Sequence, residues 1–328
     1  MNFLFFIILI NILIIIFKKN INKIVNIKDI PDEKRKFHKS AVPLTGGLIF
    51  LVNLILIFLY FYISYNNYLL NEVFFHSNKS LLSFIFGTFA LFLLGLFDDK
   101  YKLGSLVRLF LTFFIIYLVL MIDNDLIIKN LNSHFFDKTF QLSNLSIFFT
   151  ILCFSLFINS MNMFDGINCQ VILYTIIHFL IFYYYSSLDI FLFFLIGAIF
   201  LLYSNFKNDL FLGDSGVYLL GFIISFFYIK FYQVNYIKNV EVIFLYMLVP
   251  GVDMIRLFIL RLYNKKNPFE ADLNHFHHIL LKKYDYQLTL IISTLLVTVP
   301  ILLSFFIEKT HILIIISVTI YFFLLLKK

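Results

Sequence analysis

Four aspartates stand where apolar stretches give way to polar ones: Asp98 and Asp99 in GLFDDK, Asp165 in NMFDGIN and Asp214 in FLGDSG. A carboxylate at membrane depth costs several kcal/mol unless it is paired, solvated or liganded, so it is functional by default. Any one of these acids, taken alone, is equally well read as a solvated loop residue, but all four converging on one side weighs against that account. The adjacent pair Asp98 and Asp99 repels itself and calls for a cation or a raised pKa. Gly213 and Gly216 flank Asp214 and would let backbone come close to a phosphate. Hard oxygen donors beside a phosphorylated substrate suit Mg2+, with Mn2+ as the alternative ion.

A second group is NHFHHIL, in which His275, His277 and His278 lie close to Lys265, Lys266, Lys282 and Lys283. Imidazoles bind metal, donate to phosphate or shuttle protons. A zinc site would recruit cysteine or a spaced second pair of ligands. Cys153 and Cys169 lie in or beside apolar segments and offer neither metal-ligand spacing nor a disulfide framework. Anion binding is the expected role. In HKSAVPLTGG, Pro43, Gly46 and Gly47 open an apolar run behind Lys39. The glycines serve either close helix packing or the exposure of helix N-terminal amides to a phosphate, and the sequence leaves both open. Asp253 and Arg256, three apart beside Pro250, read as a structural ion pair next to a helix kink, with a direct catalytic role as the alternative.

These side chains must be held by elements that live in lipid. The 328-residue chain is 61% hydrophobic and 14% charged, more apolar surface than a soluble core of this length hides. Apolar runs cover 2–17, 46–65, 80–97, 105–122, 145–163, 169–185, 188–204, 216–234, 240–262, 287–307 and 311–326. About 20 residues of helix cross ~30 Å of hydrocarbon. Lipid cannot satisfy a free backbone, so the spans are helices. The expected fold is all-α, a polytopic transmembrane bundle of 11 helices, or 10 if the pair flanking Ser186 and Ser187 is one span, formed as a single domain over 1–328.

Residues 2–17 read as a permanent first span, because no charged leader precedes them and no small-residue cleavage site follows. With the N-terminus outside, 20 of the 26 basic residues fall on the cytoplasmic side, as does the C-terminus. All four aspartates and the histidines then share the cytoplasmic face. The formal charge of +7 is spread over loops, so it indicates membrane orientation and no nucleic-acid partner. The outer stretch 123–144 reads as a surface cover, and the helices beyond 287 carry no candidate chemistry.

The segments RKFHKSAVPLTGG, GLFDDKYKL, NSMNMFDGIN, FLGDSGVYLLGF and NPFEADLNHFHH, in this order and spacing, resemble the polyprenyl-phosphate N-acetylhexosamine-1-phosphate transferases of glycosyltransferase family 4. The resemblance runs from about Lys34 to His278, and the form PFxxDxxHxHH looks like the branch that begins O-antigen, common antigen or teichoic acid. It implies a multi-pass enzyme of the bacterial inner membrane with a cytoplasmic active site. That enzyme would transfer hexosamine 1-phosphate from a UDP-N-acetylhexosamine to undecaprenyl or another polyprenyl phosphate, releasing UMP. By the same resemblance Asp214 and Asn162 hold Mg2+ on the diphosphate, and Asp98 and Asp99 position or deprotonate the lipid phosphate near the metal. Asp165 and Asn168 bind the nucleotide with help from Asn205. His275, His277 and His278 grip the diphosphate or sugar, and Lys39 adds positive charge at the pocket mouth.

This chain departs from the family at Asn168, where most bacterial relatives carry aspartate, and at Val217, where serine is usual. A homodimer is one arrangement that the sequence allows. The rival from another class, a transporter or lipid-phosphate flippase, would place its acids near the midplane on broken helices.

Overall fold

The computed structural model describes residues 2–25, 27–31, 41–63, 75–269 and 272–326. Among them are thirteen α-helices and two short hairpins. Six helices are long and apolar enough to cross a membrane, a bent pair adds up to one more, and four shorter apolar helices accompany them. The apolar runs expected from the sequence fall on these elements as far as their residues are described, with 240–262 divided between two helices. The chain is a polytopic helical membrane protein. Large apolar side chains such as Phe110 and Phe323 remain 70% and 61% exposed, as suits a lipid solvent.

The helices form two compact units, each assembled from two stretches of chain. The first contains 1–103 and 171–224. It holds α1 (Asn2–Val25), α2 (Gly46–Ile63), α3 (Asn78–Tyr101), α6 (Gln170–Ser186) from its second residue, α7 (Asp189–Phe206) and the first half of α8 (Gly213–Gln233). Strand β1 (Lys28–Asp29) pairs antiparallel with β2 (Val42–Pro43) just before α2. α7 packs on both α1 and α2. Asn11 and Asn53 exchange amide hydrogen bonds between α1 and α2, Nδ2 to Oδ1 at 2.6 Å one way and 3.0 Å the other. Each amide thereby satisfies the other away from water. α6 and α7 are separate helices, divided at Ser187, whose φ of +55° ends the first.

Glycines let α3 reach α8. A Cβ on Gly87 would sit 2.2 Å from the Phe222 ring, and one on Gly95 would sit 2.4 Å from Ser215 Cα. The two glycines are eight residues apart and so share a face of α3. Residues Ser215–Phe231 of α8 are all buried, which places protein rather than lipid around this helix.

The second unit contains 104–170 and 225–328. It holds α4 (Ser105–Ile122), α5 (Ser146–Phe164), the rest of α8, α9 (Val240–Tyr246), α10 (Leu248–Tyr263), α11 (Phe276–Leu281), α12 (Tyr286–Ser304) and α13 (Thr310–Leu326). α5 packs on α4 and α10, and α12 packs on α13. The single run expected over 240–262 is broken instead, with α9 and α10 at 76°. Pro250 explains the break one turn upstream of itself: its ring clashes with the carbonyl four residues earlier, at Tyr246, the last residue of α9.

Part of the 123–144 stretch folds as a hairpin of β3 (Asn130–Ser133) and β4 (Lys138–Gln141). Glu241, in the first turn of α9, holds this hairpin by accepting from the Ser133 hydroxyl and the amides of His134 and Phe135. Lys230 of α8 and Asp123 at the end of α4 form a buried ion pair at 3.0 Å.

Candidate functional site

In the first unit the acids expected at the ends of apolar runs lie inside the terminal turns of the helices. α3 continues through Asp98 and Asp99 to Tyr101, and α8 begins at Gly213, so Asp214 is in its first turn. Asp99 Oδ1 accepts the Asp214 amide at 2.8 Å and Oδ2 accepts the Ser215 amide at 3.1 Å. One carboxylate thus caps a helix whose second residue lies 115 positions later in the chain, satisfying two amides that the helix cannot satisfy itself. Gly213 has φ +74°, and a Cβ there would lie 2.8 Å from Asp99 Oδ2, so glycine is needed both for the turn and for the carboxylate's approach. Asp98 is buried, and its Oδ1 accepts the Leu103 amide at 2.8 Å, closing the chain after α3.

The packing of the glycines decides two readings of the sequence. The Gly46 and Gly47 amides donate to the carbonyls of Phe211 and Leu212 at 3.0 Å each, so they are committed to protein and not exposed to a phosphate. A Cβ on Gly47 would meet Gly216 N at 2.4 Å. Gly216 therefore admits α2, and Gly213 admits Asp99, where the sequence suggested room for phosphate. Val217 is fully buried within α8, so the residue at this position is a core residue of the helix. Asn205 is also buried, and its Nδ2 donates to Leu210 O at 3.1 Å, bracing the loop that leads to Gly213. Lys39 lies outside the described residues.

In the second unit the fifth-helix motif and the histidine motif meet. Asn162 is in the last turn of α5 and Asp165 is its C-cap, with the Asp165 amide bonded to Met161 O at 3.1 Å. The turn that follows presents Gly166 to His277: a Cβ on Gly166 would lie 1.6 Å from His277 Nε2. Tyr286, opening α12, donates its hydroxyl to Asn168 O at 2.9 Å and fixes the same turn from another side.

His277 is 1% exposed, and neither ring nitrogen has a hydrogen-bond partner among the described residues. Gln170, 3% exposed two residues beyond Asn168, has a side-chain amide in the same condition. Buried polar groups left without partners are costly and mark places where a polar ligand belongs. Neither Gly166 nor Gln170 is singled out by sequence spacing. A glycine after an aspartate is too common a pairing to point at a histidine 111 positions away.

The loop carrying the histidines is shaped by Arg261. Its Nε donates to Asp272 Oδ2 and its Nη1 to Pro268 O, both at 2.9 Å, while Asp272 Oδ1 accepts the Asn274 amide at 2.8 Å. The rings of His275 and His277 stack with centroids 5.5 Å apart, and those of His277 and His278 lie 4.3 Å apart.

Burial first, and then the neighbouring His278 and His275, holds His277 well below the ordinary histidine range. Burial, His275 and Lys282 together bring His278 from 6.5 to about 4. Both rings are therefore neutral at neutral pH. The folded pKa of His278 lies below the unfolded one, so the unfolded chain takes the proton first. Its contribution to stability is complete above pH 6.5 and declines as pH falls toward about 4. The thermal midpoint in detergent is expected to drop across that window, and His278→Asn to make the drop shallower. An identical pH slope in the variant would refute this assignment.

The donor chemistry suits a partly protein-held Mg2+. Among the described residues no three His, Cys, Asp or Glu side chains form a ready metal cluster, whether of the acids or of the histidines. Mg2+ commonly takes one or two carboxylates and completes its shell with water and substrate phosphate, which Asp214, Asp98 and Asp99 of the first unit would allow.

A second feature of this unit is a largely apolar cavity of about 570 Å3, lined by α5, α8, α9 and α10 and bordered by the hairpin. Phe149, Phe154, Tyr228, Phe244 and Met254 face it, and Met247 at the break of α9 and α10 opens onto it.

Together these features define a multi-pass membrane protein with carboxylates at helix ends and a buried histidine motif. Residues 81–232 match the sequence model described as glycosyl transferase family 4. The chain is 26% identical over 273 residues to an undecaprenyl-phosphate alpha-N-acetylglucosaminyl 1-phosphate transferase of Thermotoga maritima, covering 80% of this chain and 76% of that one. It is 24% identical over 286 residues to proteins of the same description from Escherichia coli and Shigella flexneri, covering 82% of this chain and 73% of theirs. The chain is thus a transferase similar to glycosyl transferase family 4 over 81–232 and to these relatives over most of its length.

Proposed function

We propose that this transferase moves an N-acetylhexosamine 1-phosphate from a UDP-sugar to a polyprenyl phosphate such as undecaprenyl phosphate, at the cytoplasmic face of a bacterial inner membrane. The observation that carries the reading is His277, buried against Gly166 of the FDGIN turn without a hydrogen-bond partner among the described residues. A polar donor or acceptor arriving there completes what the protein leaves incomplete. The relatives' descriptions name undecaprenyl phosphate and an N-acetylglucosaminyl 1-phosphate group, which together supply the acceptor and the transferred unit.

In the reaction an oxygen of the lipid phosphate attacks the sugar-bearing phosphorus of the UDP-sugar. The bond from that phosphorus to the bridging oxygen breaks, UMP departs with that oxygen, and a polyprenyl diphosphate sugar remains. A phosphate monoester has its second pKa near 6 (about 6), so the acceptor is already mostly dianionic and needs orienting more than deprotonating. The protein's task is alignment and charge stabilisation. By their resemblance to the family's motifs, Asp214 and Asn162 would hold Mg2+, with Asp98 and Asp99 contributing carboxylate charge, and the ion would supply charge neutralisation on the diphosphate.

Asp99 holds the turn that presents Asp214, Asp165 and Asn168 take the nucleotide with Asn168 on a uracil edge, and the histidines bond the diphosphate or sugar. Asn205 supports the turn before Asp214, and Lys39 adds charge to the nucleotide. The apolar cavity suits the isoprenoid chain of the acceptor. This branch of chemistry opens the synthesis of lipid-linked surface glycans. The N-terminus lies outside and the C-terminus in the cytoplasm.

Purified protein given Mg2+, undecaprenyl phosphate and a panel of labelled UDP-N-acetylhexosamines is expected to release UMP only when the lipid is present. Chelating divalent cations should stop release and Mg2+ restore it, while zinc-selective chelation changes nothing. UMP release that is independent of the lipid would overturn the acceptor, and full activity in metal-free buffer would overturn the ion.

A further inference from the structure

An ion pair formed only to neutralise a buried charge would need Asp253 and Arg256 alone, joined here at 2.7 Å. The structure does more with them. Asp253 is 3% exposed and receives four donor groups: Arg256 Nη2, the Tyr321 hydroxyl at 2.6 Å, His275 Nδ1 at 3.3 Å and the Phe276 amide at 3.2 and 3.3 Å. A carboxylate offers about four acceptor positions, so this one is saturated and free for neither metal nor proton. Arg256 donates in turn to Asn274 O and, through Nε, to the Tyr321 hydroxyl at 2.8 Å. The Phe276 and Tyr321 rings stack with centroids 4.8 Å apart. Three successive residues, Asn274, His275 and Phe276, are thereby tied to α10 and α13 immediately before the buried His277.

We propose that Asp253, Arg256 and Tyr321 are positioning residues for the histidine segment: they fix the proton of His275 on Nδ1 and hold the entry to α11, so that His277 is set against Gly166. The inference rests on the reading that this segment bonds the sugar-nucleotide. An ionised carboxylate only accepts, so the contact with Nδ1 requires a proton on that nitrogen. In the neutral ring Nε2 is then the acceptor, suited to a sugar hydroxyl or acetamido N–H. Tyr321 sits near the end of the last helix, in a helix pair whose sequence carries no candidate chemistry, yet its hydroxyl both donates to Asp253 and accepts from Arg256. Removing that hydroxyl loosens the clasp without deleting a charge.

The test uses full-length protein in nanodiscs with 15N-labelled histidine, assigned at His275 by the spectrum of a His275→Gln variant, together with UMP-release kinetics. Tyr321→Phe is expected to fold and to lose about tenfold in kcat, the weight of one good hydrogen bond, with KM for the UDP-sugar within about twofold of wild type. Asp253→Asn/Arg256→Gln leaves no unpaired buried charge. It is expected to move His275 off the Nδ1-protonated tautomer and to lose about 100-fold in kcat. A folded Tyr321→Phe protein with wild-type kcat, or a double variant that keeps the Nδ1–H resonance, would overturn the proposal. The tautomer is read without turnover. A wild-type protein that shows the Nδ1–H tautomer but releases no UMP would therefore sink the transferase reading and not the clasp.

Discussion

Asp99→Asn is expected to reduce UMP release by at least about 100-fold and to lower folding stability by about 2 kcal/mol, because the substitution removes a charge and half of a helix cap together. The carboxylate accepts two amides, from Asp214 and Ser215, one on each oxygen. Asparagine has one oxygen to offer, and its NH2 would face the other amide donor to donor. The Gly213 turn then loses the group that fills its open side, and Asp214 in the first turn of α8 moves with it. Asp99→Glu keeps the charge on a longer arm, so it should recover part of the stability while leaving activity low. Release at the wild-type rate from a folded Asp99→Asn protein would remove Asp99 from the site.

Asp98→Asn separates the two effects. Asp98 accepts the Leu103 amide through Oδ1, a bond that an asparagine oxygen also makes. The fold is expected to survive this change within about 1 kcal/mol. Any large loss of activity then reports the missing charge, where Asp99→Asn mixes charge with capping.

The spans were legible because lipid imposes one rule on every backbone, and a run of apolar residues long enough to cross can be counted. Their ends were not. α1 continues to Val25, past the end of the first apolar run at 17, and Lys18 in that extension pairs with Asp209 of the same unit. α3 and α8 carry their acids inside the terminal turns because a helix does not stop where its apolar face stops. Ser77 starts α3 by accepting the Ser80 amide, a signal present in the sequence as SNKS but lying beyond the apolar run.

The chemical residue types were also readable, since carboxylates and histidines at span ends have few cheap explanations. What they bond to was not. The partners of Asp99, Asp253 and His277 lie 115, 68 and 111 positions away in contacts of Asp214, Tyr321 and Gly166, and only tertiary packing creates them. The glycines show the same limit from the other side. Gly46, Gly47, Gly213 and Gly216 fit a phosphate cradle and a helix contact equally well by type, and the neighbours at 2.4 to 2.9 Å decide for the contact. Pro250 was readable as a kink because its effect is local, on the carbonyl four residues back.

Gly166→Ala is expected to be strongly disruptive, with UMP release falling by more than about 100-fold and stability by about 1–3 kcal/mol. The added Cβ would lie 1.6 Å from His277 Nε2, 2.2 Å from Cε1 and 2.4 Å from Cδ2, so the whole ring edge must retreat. The ring is 1% exposed and has no room to leave as the tip of a long side chain would. Gly166 is not among the glycines with positive φ, so alanine brings no backbone strain, and the contact alone is tested. The double variant Gly166→Ala/His277→Ala removes the ring that the methyl strikes. Its stability should exceed that of Gly166→Ala, a coupling of opposite sign to simple additivity, while activity stays low because the imidazole is gone. If the two substitutions instead add in stability, or if Gly166→Ala alone turns over normally, the FDGIN turn and the histidine segment do not meet, and the observation on which the proposed function stands is lost.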